Sequence, residues 1–195
     1  MRKAAFTVLI SMTATVAYAA GSHDHASPYR GEEKRQIKSL SAADIDELSR
    51  GGGWGFAKAA ELNGVPGPAH LLELKDDISL KPQQIMAIQA LFQKMNAEAR
   101  TEGARLIALE RALDRRFREN TVTEAILESA LREIGEVRST LRFIHLRTHL
   151  KTPAILTAEQ IERYNQLRGY ETASPCDAVP NGHNTAFWRQ HNGCE

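Results

Sequence analysis

The sequence predicts an all-α protein: a long antiparallel helical hairpin with short flanking helices, assembled as a homodimer. Three observations predict it. From Pro82 to about Glu119 no proline interrupts the chain, and apolar residues recur at alternating spacings of three and four: Ile85, Ile88, Phe92, Met95, Ala99, then Leu106, Leu109, Leu113 and Phe117. Such a stripe marks an amphipathic helix with one face turned to a partner. The same spacing resumes after Asn120-Thr121-Val122-Thr123, through Leu127, Ala130, Ile134, Val137, Leu141, Ile144 and Thr148. A break that short folds two helices back antiparallel. Lastly, no segment alternates apolar and polar residues as a half-buried strand would. Each stripe is one-sided, so short helices or a second copy must cover the remaining apolar face, hence the expected dimer.

The elements follow in order. Arg2 and Lys3 precede the apolar run Ala4 to Ala17, and Ala17-Tyr18-Ala19 has the small-x-small form of a signal peptidase site. The run falls short of the roughly 20 residues of a spanning helix. Residues 1–19 therefore read as a signal peptide, with an uncleaved anchor as the alternative, and the mature chain as periplasmic, membrane-proximal but not membrane-spanning. Residues 20–40 are polar, without an apolar period, and are expected to be mobile. Within 41–67, Ser41-Ala42-Ala43-Asp44 is a capped helix start leading to Ile45 and Leu48 and stopping at Gly51. GGGWGF (51–56) lacks the third glycine of GxGxxG and any preceding strand, so it reads as a flexible joint with Trp54 tucked onto the core.

Asn63-Gly64-Val65-Pro66-Gly67-Pro68 is a turn cluster, and Pro68 suits the first turn of a short helix carrying His70, Leu71, Leu72, Glu73 and Leu74. Pro82 opens the long helix. Its interior Gly103 reads as a bend, since glycine costs about 1 kcal/mol relative to alanine there. Thr123 caps the second long helix. Thr157 caps a last short one through Ile161, Tyr164 and Leu167, with Gly169 as its stop. Residues 68–169 thus form the helical domain and 170–195 a tail, which Phe187 and Trp188 are expected to anchor.

Composition narrows the function. The net charge is only +1, so no strongly basic surface advertises nucleic acid. The two cysteines, Cys176 and Cys194, both lie in the tail. In an oxidising compartment they read as a disulfide closing that tail, rather than as soft-metal ligands beside His183 and His191. There is no nucleophile motif, phosphate loop or paired carboxylate tied to a cleft, and the chain is not expected to be an enzyme.

His145 and His149 stand one helical turn apart and share a face. Packing beside the core, a proton-sensitive pair and a metal grip all fit that spacing, and two ligands alone leave a tetrahedral site half empty. Register adds to this. Turning the hairpin near Thr121 brings His149 level with Lys94, and folding back at Ser79 to Leu80 brings His70 level with Ala90, roughly 5 Å apart along the axis. His70, with Glu73 one turn on, can then meet His145 and His149. Three imidazoles and a carboxylate suit Zn, Ni, Co or Cu better than Mg or Ca.

Leu80-Lys81-Pro82-Gln83-Gln84 and Leu156-Thr157-Ala158-Glu159-Gln160 resemble the paired LTxxQ motifs of a periplasmic family that includes CpxP, Spy, the zinc-responsive ZraP and the nickel/cobalt sensor CnrX. The resemblance covers about Pro68 to Gly169. It implies two helix starts packed together through Leu80 and Leu156, with Pro82, Gln84, Thr157 and Gln160 shaping their first turns. The first motif carries Lys81 in place of the capping Thr, which implies a weaker helix start. Members are chaperones of unfolded proteins, inhibitors of stress sensor kinases, or metal sensors, so unfolded clients or a periplasmic sensor domain are the implied partners. The metal-sensing branch draws ligands from an HxxxH before the second motif, as His145 and His149 match. Of its first-helix histidine pair only His70 is present, with Leu74 at the other position. The function expected is a periplasmic envelope-stress or heavy-metal-resistance protein that binds a transition ion at His70, Glu73, His145 and His149 and signals or buffers it. The alternative is a metal-independent chaperone of the Spy and CpxP type.

Overall fold

A computed structural model describes residues 27–170, 179, 184–191 and 193–194. Seven α-helices lie among them: α1 (Ala42–Ser49), α2 (Lys58–Glu61), α3 (Pro68–Glu73), α4 (Pro82–Arg118), α5 (Glu124–His149), α6 (Ala158–Arg168) and α7 (Thr185–His191). Short 3-10 turns occur at Glu32–Lys34 and Pro153–Ile155. The only strand-like pairing described is an isolated bridge between Ile37 and Leu40. The protein is all-α, with α4 laid against α5 as the expected hairpin. No helix among the described residues is long and apolar enough to cross a membrane. The expected signal peptide (1–19) and Cys176 lie outside the described residues.

The chain divides into two compact units, Met1–Glu33 and Lys34–Glu195. In the first, Ser27 to Glu33 forms turns in which Arg30 N–H donates to the Ser27 carbonyl at 3.1 Å and Glu32 N–H to Tyr29 at 3.0 Å. The hairpin, its flanking helices and α7 belong to the second.

Why the helices start where they do is visible in their first turns. The Ser41 hydroxyl accepts from Asp44 N–H and the Asp44 carboxylate accepts from Ser41 N–H, a complete capping box. Pro68 and Pro82 both sit in the first turn of their helices, where a missing N–H removes no bond. Thr123 and Thr157 cap α5 and α6 through their hydroxyls, and Gly169 ends α6 at φ 66°, in the left-handed region.

The core of the second unit has two parts. In the larger, Met95, Ala99, Leu106 and Ile107 of α4 meet Ile134, Val137, Leu141 and Ile144 of α5. Leu48 of α1 covers this seam, joined by Ile37 and Leu40. Those last two are fully buried, at 0% and 2% exposed, which corrects the expectation of a mobile segment through residue 40. Two apolar side chains three residues apart are too few to register as a period. They are held by Asp114, accepting from Lys38 N–H at 3.1 Å, and by Glu110, accepting from the Ser39 hydroxyl at 2.7 Å.

The smaller part lies at the base of the hairpin, where Leu71 of α3, Ile78, Leu80, Ile88 and Tyr164 of α6 pack together. Leu156 joins them half-buried, so the two motif leucines share one cluster. Here Gln84 and Gln160 bond to each other in both directions, amide to carbonyl at 2.8 and 3.1 Å. Each also reaches back to the backbone N–H that opens its own helix, Gln84 to Lys81 at 2.9 Å and Gln160 to Thr157 at 3.0 Å. Lys81 makes no side-chain cap, so at the first helix start only this reciprocal half of the capping box is made. The amide protons of Gln84 also serve the Ile155 carbonyl at 2.7 Å, and those of Gln160 the Ser79 carbonyl at 3.3 Å.

α4 runs unbroken from Pro82 to Arg118 through Gly103. A Cβ placed there would stand 2.3 Å from the Leu48 carbonyl oxygen. The glycine is a notch that admits the end of α1. In the tail Cys194 is disulfide-bonded. Phe187 is 71% exposed and stacks on His191 at 6.3 Å rather than anchoring the tail to the core.

Candidate metal-binding pocket

The turn cluster Asn63 to Pro68 is pinned onto the end of α5. Thr152 donates its hydroxyl to the Pro66 carbonyl at 2.6 Å, and His149 Nδ1 lies 2.9 Å from the Val65 carbonyl. A carbonyl can only accept, so Nδ1 carries a proton, and the neutral tautomer compatible with this bond keeps its lone pair on Nε2. That ring is nearly buried, and its Nε2 faces Glu61 Oε1 at 3.9 Å. Anchoring one imidazole nitrogen on a backbone carbonyl is the arrangement that orients metal-binding histidines.

Glu61, the last residue of α2, is the hub of this corner. Its Oε1 accepts from His70 Nδ1 at 3.1 Å, and its Oε2 accepts from the Tyr164 hydroxyl at 2.7 Å. Burial, then the hydrogen bond and charge of Glu61, hold the Tyr164 phenol well above its usual range, so it remains a donor at every physiological pH. Gly67 makes this approach possible: a Cβ there would lie 2.6 Å from His149 Cε1 and 2.7 Å from Glu61 Oε1.

His145, one turn before His149, is 3% exposed and stacks on Phe56 with ring centroids 6.1 Å apart. Its Nε2 is buried without a hydrogen-bond partner. An orphaned buried nitrogen is uncommon in a folded protein and points to a missing partner, such as an ion or water.

All four sequence-predicted residues, His70, Glu73, His145 and His149, line one pocket of about 700 Å³, together with Glu61 and Glu47. Its α4 wall is Phe92, Met95 and Asn96, close to the Ala90 and Lys94 levels expected from register. The glycine-rich stretch supplies another wall: Gly51, Gly52, Gly53 and Trp54 all line it. Trp54 adopts φ 41°, donates its backbone N–H to Glu47 and its indole N–H to Asp44, both at 2.8 Å, and lies under the Arg138 guanidinium. The carboxylate within bonding distance of His70 is Glu61, which the sequence reading did not single out. Among the described residues, no three His, Cys, Asp or Glu side chains yet converge as a ready-made metal site. The donors share a pocket, with His70 engaged by Glu61 and His149 by the Val65 carbonyl.

Burial, and then repulsion by His149, pushes the His145 pKa below its ordinary value of 6.5, against smaller opposing effects of Glu47 and the Gly52 backbone. The sign follows. As pH falls below about 6.5 the unfolded chain takes up this proton and the folded chain resists it, so stability falls with acidity. Down to the folded-state pKa, one such group contributes a slope of up to about 1.4 kcal/mol per pH unit. Urea unfolding between pH 7.5 and 5 should therefore show a shallower acid-side loss in His145→Gln than in the wild type. Equal slopes would mean that another group carries the effect.

Comparison of this chain with family models, with curated proteins and with solved structures finds no match.

Proposed function

We propose that the protein is a periplasmic heavy-metal-responsive member of the LTxxQ family, binding a divalent transition ion in the pocket between the turn cluster and the end of α5. The observation that carries this reading is the state of two imidazoles on one helix face. His149 has its Nδ1 fixed on Val65, leaving Nε2 toward the pocket acid Glu61, and His145 has a buried Nε2 with no partner. His70 stands across Glu61 from His149, and Glu73 lines the same pocket. Imidazole nitrogen with carboxylate oxygen is a donor set for Zn, Ni, Co or Cu. The residues to hold the ion are His149, His145 and His70, with Glu61 or Glu73 as the oxygen donor.

Glu61 ties the ion to the rest of the fold. Drawing its carboxylate off Tyr164 or His70 alters the contact between α2, α3 and α6. Thermal unfolding with and without each ion tests the reading. At a hundredfold excess over its dissociation constant an ion adds about 2.7 kcal/mol, and the melting temperature should rise accordingly. The rise should vanish in His145→Ala/His149→Ala and shrink in His70→Gln. Because His149 also holds the Val65 turn, the quantity to compare is the ion-induced rise within each variant. No rise in the wild type with any of the four ions would end the proposal.

A second reading, a metal-independent chaperone, is favoured by the apolar side chains left exposed along the hairpin, among them Met86 (62%), Phe117 (52%), Leu131 (51%) and Phe143 (59%). On that reading suppression of client aggregation survives the histidine substitutions, and substituting Phe143 and Leu131 weakens it.

A further inference from the structure

The pocket is far larger than an ion. Its volume is about 700 Å³, whereas one water molecule occupies about 30 Å³. Pockets of about 300–1,000 Å³ are the size that encloses a small organic molecule. Its walls are also of that kind. Trp54, Phe92, Met95 and Leu62 offer apolar surface, and Arg168 and Lys58 bring cations to the same space. The Arg168 Nε is buried with no hydrogen-bond partner, as is His145 Nε2. Two of the lining acids are already engaged, Glu47 with the Trp54 N–H and Glu61 with His70 and Tyr164. Trp54 is held in a conformation rare for an aromatic residue, and such strain gathers at ligand sites.

Resting on the metal-binding reading above, we propose that the pocket takes the ion as a complex with a small hydroxy- or amino-carboxylate chelator, not as a bare ion. The imidazoles bind the metal face of the complex. Arg168 and Lys58 bind the chelator's free carboxylates, and its carbon skeleton lies against Trp54 and Phe92. The chelator completes the coordination begun by the imidazoles and one pocket carboxylate, and gives the buried Arg168 Nε an acceptor.

Isothermal titration calorimetry with Ni²⁺ alone, citrate alone and preformed Ni²⁺–citrate separates the cases. The complex should bind at least about tenfold more tightly than either component. Arg168→Gln and Lys58→Gln should each weaken the complex by up to about tenfold, the effect of losing one charge-assisted contact, while leaving bare Ni²⁺ unchanged. Lys58 is exposed, so its variant tests the idea without endangering the fold. Bare Ni²⁺ binding as tightly as the complex, or citrate stripping the ion from the protein, overturns the chelate and leaves metal binding standing. Citrate alone binding as tightly as the complex, unaffected by His149→Ala, also overturns it. Silence in all three titrations takes down both readings together.

Discussion

Tyr164→Ala is expected to lower stability by about 3–5 kcal/mol, the cost of removing a large aromatic side chain from a packed interior. Tyr164 is 0% exposed and sits at the centre of the smaller core cluster, against Leu71, Ile78, Leu80 and Ile88. Loss of its ring opens a cavity between α3, α4 and α6, and loss of its hydroxyl leaves Glu61 Oε2 without a donor. Tyr164→Phe isolates the second effect. It keeps the ring and should cost about 1–3 kcal/mol, the penalty of an unsatisfied buried acceptor. Urea midpoints for the two variants separate packing from the hydrogen bond. If the phenylalanine variant matches the wild type, water replaces the hydroxyl, and Glu61 is freer to move than its contacts suggest.

Gly103→Ala should destabilise the protein by about 2 kcal/mol, although alanine is the better helix former by about 1 kcal/mol. The added methyl would stand 2.3 Å from the Leu48 carbonyl oxygen, and overpacking of this kind costs about 1–3 kcal/mol or more. The obstacle is backbone, so no side-chain rotation relieves it. Either α1 shifts outward or Leu48 leaves the seam. Denaturant unfolding gives the sign directly. A stabilised Gly103→Ala would mean that α1 gives way cheaply and that helix propensity dominates at this position.

These two residues also mark the limits of what the sequence discloses. The hairpin was readable because its information is periodic: a stripe sustained over many turns survives local exceptions, and its two helix starts carry a proline and a capping threonine. Gly103 carried a signal, a small residue within the stripe, but not its cause. A notch needs glycine as much as a bend does, and only the position of Leu48 shows the notch. Ile37 and Leu40 were lost among polar neighbours because a short apolar pair has no period. His70, Glu73, His145 and His149 were brought to one pocket by counting register along helices, which works because the rise of a helix is fixed. Glu61 was invisible to that reasoning. It ends a helix of four residues, too short to show a face. Its importance comes from Tyr164, 103 positions further along the chain. The strained Trp54 loop read as a joint because glycines signal freedom of backbone, not what the backbone has been shaped around.

The mutual bonds of Gln84 and Gln160 bear on how the chain reaches this structure. The two amides lie 76 positions apart, with the whole hairpin between them. Contacts near Asn120 can form between neighbours as soon as the helices exist, whereas the amide pair must wait until both arms have zipped back to the base, since closing so long a loop is entropically unfavourable until other contacts support it. The pair is therefore a latch and not a seed. It belongs to the last stage of folding, and its loss should show in how fast the protein comes apart.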